Sequence, residues 1–195
     1  RPLVGRPVRG ICPGSKGVPV IFKETGLKGA YLIEQERVED ERGFFARTYC
    51  SREFNAHGLN TAFVQCNTSF NAKKGVLRGM HFQAAPYEEA KLVRCTRGAI
   101  YDVIIDLRAG SDSFRRWISA ELTPENGRMF YIPAGFAHGF LTLTDNTEVF
   151  YQMSEFYEPG YAKGVRWNDP AFAVHWPAEV RIISEKDSGY RDFVL

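Results

Sequence analysis

Gly75-Val-Leu-Arg-Gly-Met-His-Phe-Gln83 and Pro133-Ala-Gly-Phe-Ala-His-Gly-Phe140 are the stretches on which the reading of this chain turns. Each joins a strand-like run to glycine punctuation and carries one histidine, His81 or His138. Such chemistry places both imidazoles at the wall or mouth of a β-rich fold rather than on a loose tail. Around them the chain is a succession of short β-capable runs: 43–49, 62–70, 76–82, 91–97, 99–107, 117–122, 128–132, 139–143 and 148–153. Many strands at regular spacing predict a sandwich or barrel. Only 51–59 reads as a helix, with Ser51 as its N-cap and Gly58 near its end. Thr123-Pro-Glu-Asn-Gly127 has the composition of a tight turn.

A chain of 195 residues, 44% hydrophobic and 14% aromatic, can bury a core without staples and is not disordered. Its net charge of +2 comes from dispersed Arg and Lys, too little for a nucleic-acid footprint and better suited to a small anionic ligand. Cys12, Cys50, Cys66 and Cys95 form no Cys-x-x-Cys pair, and Cys66 and Cys95 lie within strand-like runs. They read as reduced thiols of a cytoplasmic protein. No run reaches the length of a membrane span, and the first residues lack the apolar centre of a signal peptide. The absence of an initiating Met leaves room for a removed leader. Residues 1–20, rich in Pro, Gly and Arg, read as an arm that orders only on docking, and 21–195 as one domain without repeat or linker.

Strand alternation then sorts side chains by face. Lys91, Val93 and Cys95 share one face, as do Gln65 with Asn67, and Val149 with Tyr151 and Met153. Tyr151 would then carry the one polar group in an apolar surround. Arg78 and His81, three apart, point to opposite faces of a regular strand. For both to meet one ligand a kink is required, and Gly79 is the residue that allows it.

Pro133-x-Gly-x-x-His138, preceded by the His81 segment, resembles the paired motifs of the cupin superfamily, a jelly-roll barrel. Metal-binding cupins offer His-x-His and a downstream Glu in the first motif. Here it reads His81-Phe82-Gln83, with Glu88 as an acid within reach, so the full ligand set is missing and no metal is expected. A longer resemblance is to the dTDP-4-dehydrorhamnose 3,5-epimerase family of metal-independent cupins. It rests on Asp40-Glu-Arg-Gly-Phe-Phe45, Phe63-Val-Gln-Cys-Asn67, Val76 to Gln83, Lys91-Leu-Val-Arg-Cys95, Ile132 to Phe140, Trp167-Asn-Asp169 and Ser184-Glu-Lys-Asp187. It implies an all-β, cupin-type jelly roll with one or two short helices. It further implies a homodimer, no cofactor, and a nucleotide-diphosphate sugar as substrate. By this resemblance His81 is the general base, Asp187 its orienting carboxylate and Tyr151 the general acid. Lys91 and His138 lie near the sugar, and Arg42, Gln65, Asn67, Arg78 and Lys186 match nucleotide-sugar contacts. Two positions depart from the family: Arg47 stands where a Glu is usual, and Gly160-Tyr-Ala-Lys163 lacks another usual Glu. Both bear on which base is bound.

A hydrogen beside a ketone is a very weak acid, and each pKa unit of mismatch with its base costs about 1.4 kcal/mol. Charge growing on the C4 oxygen therefore needs a fixed donor, for which Lys91 is the candidate, at about 3–4 kcal/mol for one such donor. Asp187 holds the imidazole in its proton-accepting tautomer, and inversion needs reprotonation from the opposite face, which Tyr151 would supply. Arg78, with Arg42 nearby, suits a diphosphate. His57 and His175 have no such context and read as structural or exposed. The expected activity is inversion at C3, C5 or both of a 4-keto-6-deoxy nucleotide sugar. A mono-epimerase, a 3,4-ketoisomerase, a sugar-binding cupin without catalysis and a metal-dependent oxygenase are the alternatives.

Overall fold

The computed structural model describes residues 8–9 and 18–194; Cys12 and most of the expected arm lie outside the described residues. Fourteen strands and two short helices are assigned among them. The first five strands are β1 (Val8–Arg9), β2 (Val20–Glu24), β3 (Tyr31–Gln35), β4 (Arg37–Asp40) and β5 (Gly43–Ala46), followed by α1 (Ser51–Ala56). The middle of the chain forms β6 (Gln65–Asn71), β7 (Leu77–Gln83), β8 (Lys91–Arg97), β9 (Ile100–Asp106) and β10 (Trp117–Leu122). The remainder gives β11 (Met129–Ile132), β12 (Phe136–Thr142), β13 (Thr147–Met153), β14 (Ala162–Gly164) and α2 (Glu185–Ser188).

Two antiparallel sheets make the body, in the orders β1-β2-β3-β11-β8-β13-β6 and β10-β9-β12-β7-β14; β4 and β5 form a separate hairpin. The alternating residues of both sheets meet in one core. Val93, Cys95, Phe130 and Val149 come from the seven-stranded sheet, and Ile100, Ile104, Phe136 and Phe140 from the five-stranded one. The outer faces are covered too. Phe54 of α1 and the nearby Leu59 lie over Phe22, Ile33, Leu92 and Met129, while Val165 and Phe172 of the C-terminal stretch pack on Met80, Val103 and Ile105. The result is a jelly-roll sandwich whose strands are covered on both sides near its middle, which is why Ile100–Asp106 is buried almost throughout.

Element boundaries move for identifiable reasons. β12 begins at Phe136 rather than 139, because Gly135 (φ +81°) completes the turn and Phe136, Ala137 and His138 already pair with Asp106, Ile105 and Ile104. Ser51 is the first helical residue and not the cap. Cys50 holds that position, with no side-chain bond, and its carbonyl accepts the first helical N–H from Phe54. The helix stops at Ala56, with Gly58 at φ +69° just beyond.

The expected kink in β7 is present. The β7–β12 register shifts between the His138–His81 pair and the Phe140–Arg78 pair. Gly79 lies at φ +119°, and a Cβ there would fall 2.6 Å from Gly139 Cα and 2.7 Å from the His138 carbonyl oxygen. Parity is thereby reset: Met80 enters the outer core while Arg78 and His81 both face the cleft between the sheets. Gly79→Ala should cost about 2 kcal/mol or more from backbone strain and contact, lowering Tm by about 4–8 °C for a domain of this size. Unchanged thermal unfolding and activity would show that the kink tolerates a side chain.

Candidate active site

The open side of the sandwich holds a cleft of about 450 Å³ bounded by both sheets and by α2. The five-stranded sheet contributes His81 and His138, which stand opposite each other in the β7–β12 ladder. The seven-stranded sheet contributes Lys91 of β8 and Tyr151 of β13; the Lys91–Met153 and Val93–Tyr151 pairs set them side by side. One wall thus presents imidazoles, and the facing wall presents an ammonium and a phenol.

His81 Nε2 lies 2.7 Å from Asp187 Oδ1, a pair separated by 106 residues in sequence. Asp187 Oδ2 accepts the Gly79 backbone N–H at 3.1 Å, so the carboxylate reads both the kink and the imidazole beside it. Asp187 itself is placed by α2, where Ser184 caps the helix by accepting the Asp187 backbone N–H. Burial pushes its carboxyl up, but the bonds from His81, Gly79 and Ser184 outweigh this and hold it below the ordinary aspartate value. An ionised carboxylate on Nε2 keeps the proton there and leaves Nδ1 as the basic nitrogen.

A second pair stands beside the first. His138 Nε2 is 2.7 Å from Asp102 Oδ1, and Asp102 is fully buried. Burial pushes the Asp102 carboxyl up against the pull of His138 and Lys91. Asp102 was not anticipated from sequence. It alternates with Ile100 and Ile104 inside an apolar strand, and its only local mark is a charge where the pattern calls for a hydrophobe.

Lys91 is buried and its Nζ lies 2.5 Å from Glu89 Oε1, whose other oxygen accepts the Gln83 backbone N–H at 3.1 Å. Glu89, not the exposed Glu88, is therefore the acid near the cleft. An ammonium has three donors, so the pair with Glu89 leaves two for a ligand. Tyr151 packs against the apolar core, but its hydroxyl is not the one polar group there: Arg78, Glu89 and Tyr157 all act on it. Burial pushes its phenol up from 10, Arg78 draws it down, and Glu89 and Tyr157 raise it further, so it stays a protonated donor.

Gln83 occupies the place where a metal cupin has its second histidine, and its amide is committed elsewhere. Its Nε2 donates to the carbonyls of Tyr87 and Phe156, and its Oε1 accepts from the Glu158 N–H. It ties together the two loops that frame the cleft mouth. Among the described residues no group of three or more His, Cys, Asp or Glu side chains forms a metal site.

The remaining expected contacts divide. Arg78 and Lys186 line the cleft, joined by Lys163 and Tyr157, which the sequence did not single out. Arg78 Nε donates to Asn71 Oδ1 at 2.7 Å, which aims its guanidinium. Gln65 and Asn67 do not line the cleft but lie beside it. Gln65 Oε1 accepts the Tyr157 N–H, and Asn67 donates to Met153 Sδ. Arg42 does not line the cleft of its own chain. It sits at the β4–β5 turn, 85% exposed, doubly bonded to Asp40. Arg47 is also outside the cleft, its Nη1 donating to the buried Glu53 at 2.6 Å. Ala162 lines the cleft in the stretch where a Glu was expected, so no carboxylate is supplied there. His57 is structural: its ring stacks on Phe22 at 3.9 Å.

Comparison with known proteins gives a consistent set. The sequence profile of the dTDP-4-dehydrorhamnose 3,5-epimerase family matches residues 24–194. A dTDP-4-dehydrorhamnose 3,5-epimerase of Methanothermobacter thermautotrophicus is 46% identical over 173 residues, covering 87% of this chain and 92% of the relative. The crystal structure of the Bacillus anthracis dTDP-4-dehydrorhamnose 3,5-epimerase, with TDP and PPi bound, superposes with a TM-score of 0.84 at 40% identity, over 87% of this chain and 97% of that one. A 3'-monoepimerase from Streptomyces bikiniensis in complex with dTDP-quinovose gives 0.80 at 31% identity, over 86% and 85%.

Proposed function

This chain belongs to the dTDP-4-dehydrorhamnose 3,5-epimerase family, and on that premise we propose that its cleft inverts a dTDP-4-keto-6-deoxy sugar by proton transfer between facing walls. The protein is an isomerase of the cupin jelly-roll type. The observation that carries the mechanism is the placement of His81, backed by Asp187, on one sheet and Tyr151 on the other, both on one cleft.

His81 Nδ1 takes the proton from the carbon next to the C4 ketone. Negative charge moves to the C4 oxygen, where the Lys91 ammonium meets it, with His138 alongside. The Tyr151 hydroxyl returns a proton to the opposite face of the same carbon, and the two groups are then reset by solvent. Asp187 stabilises the imidazolium formed in the first step. Arg78, Lys186 and Lys163 supply the cationic side of the cleft for the diphosphate.

Incubation with dTDP-4-keto-6-deoxy-D-glucose, followed by proton NMR of the sugar, tests this reading. Inversion at C3, C5 or both supports it and identifies the centres. A product with its carbonyl at C3 would make the protein a ketoisomerase, and unchanged substrate with retained binding would make it a sugar-binding protein.

The proposal extends to a homodimer. β6 is an open sheet edge carrying exposed Phe70, with exposed Val64 just before it, and the β4–β5 hairpin exposes Val38, Phe44 and Phe45. Edges and apolar patches of this kind call for cover, and a second copy would also give the outward Arg42 a surface to reach. Sedimentation should give twice the monomer mass; a monomer mass at all concentrations would reject it. Cytoplasmic placement is part of the same proposal. It is supported by the unpaired Cys50, Cys66 and Cys95, and no helix among the described residues is long and apolar enough to cross a membrane.

A further inference from the structure

One hydrogen bond does not fix an imidazole. With Nε2 tied to Asp187, the His81 ring can still pivot about that contact, and a pivot of 1 Å at Nδ1 moves the base off its target. The structure supplies a wall against this movement in Tyr190, three residues beyond Asp187. The Tyr190 ring stands edge-on to the imidazole, with centroids 6.2 Å apart and planes at 75°. It fills the space beside Gly164, where a Cβ would fall 2.2 Å from Tyr190 Cε2 and 2.3 Å from Cζ. Gly164 in turn faces His81 across the β14–β7 ladder. The missing side chain on β14 is thus the notch that admits the ring, directly beside His81.

The stretch bearing Tyr190 is fastened on its far side. Asp192 Oδ1 is 2.7 Å from Arg166 Nη2, and the Phe193 N–H donates to the buried Asp169 Oδ2 at 2.5 Å. The Phe193 ring packs on Phe172 at 5.2 Å between centroids. The Tyr190 hydroxyl is buried and has no hydrogen-bond partner among the described residues. Burial, with Asp187 and Tyr157 nearby, pushes that phenol up to about 12, so it presents a neutral ring to the imidazole.

We infer that Tyr190 is a positioning residue for His81, its ring holding the imidazole against Asp187 while the 190–193 stretch latches it in place. The inference rests on the assignment of His81 as the base. Tyr190→Ala should lower kcat by about 10- to 100-fold, the effect of a misplaced catalytic group, with KM changed by less than about twofold because ground-state binding is untouched. Tyr190→Phe, which keeps the ring and removes only the unpartnered hydroxyl, should restore kcat to near wild type. Proton NMR without substrate supplies the second readout. The downfield N–H resonance of the His81–Asp187 bond, identified by its absence in His81→Ala, should persist in Tyr190→Phe and broaden or vanish in Tyr190→Ala. If Tyr190→Ala does not fold, Tyr190→Leu is read the same way. Wild-type kcat in the Ala or Leu variant overturns the inference, as does equal impairment in Tyr190→Phe or an unaltered resonance alongside lost activity. Because the resonance is read without turnover, it still reports on Tyr190 if the epimerase reading itself fails.

Discussion

His81→Ala is expected to lower exchange of the sugar protons by about 10²- to 10⁴-fold, the usual contribution of a positioned general base, while dTDP affinity and folding are retained. The side chain is 41% exposed, so its removal leaves little cavity, whereas its partner Asp187 is 6% exposed. Asp187→Ala would be a less clean test, because it strips the Gly79 N–H of its acceptor, a loss of about 1–3 kcal/mol. Asp187→Asn is sharper. The amide oxygen can still accept from Gly79, but the amide nitrogen presents a donor to Nε2. That forces the imidazole proton onto Nδ1, the nitrogen meant to act as base. Asp187→Asn should therefore approach His81→Ala in exchange rate while keeping its stability. The measurement is loss of the C3 and C5 proton signals of substrate in deuterated water. Wild-type exchange in either variant would remove the dyad from the mechanism.

Tyr151→Phe should separate two events that the His81 variants abolish together. With the hydroxyl gone, His81 still abstracts and returns a proton on its own face, so solvent label enters without inversion. Washout should stay within about tenfold of wild type, while formation of inverted product falls by about 10²-fold or more. The ratio of washout to inversion, followed in one NMR sample, reports this directly. A product yield equal to wild type would place the acid elsewhere, and parallel loss of both rates would show that Tyr151 shapes the cleft rather than delivers a proton. Among the described residues the hydroxyl makes no hydrogen bond that its loss would break, which keeps the comparison with Phe close.

Local chemistry explains what was legible in the sequence. Alternation sorted Lys91, Val93 and Cys95 to one side because β8 is covered on both faces and keeps its register from Lys91 to Cys95, the shift against β13 coming only beyond it. The kink at Gly79 followed from needing Arg78 and His81 on one ligand, and only glycine tolerates the φ of +119° found there. Pairings across the chain left no such trace. Asp187 joins His81 across 106 residues, and only family resemblance suggested it. Asp102 and Glu89 were missed because a buried acid looks out of place until its partner, His138 or Lys91, is seen in space. Arg42 stands outside the cleft of its own chain for a converse reason. A motif match carries no direction, and in Asp40-Glu-Arg-Gly43 the Asp40 side chain accepts the Arg42 N–H, a turn that sends the guanidinium into solvent. Arg47 likewise suggested a contact to the base, but its partner is the buried Glu53 six residues on, and a carboxylate at position 47 would face that acid.

Turnover of dTDP-4-keto-6-deoxy-D-glucose by the wild-type protein in deuterated water tests the two-walled proton transfer most directly. Each inverted carbon of the product should carry deuterium, because the proton removed by His81 stays on one wall while Tyr151 delivers a solvent-derived deuteron from the other. Inverted product that retains the original protium at those carbons would contradict the account.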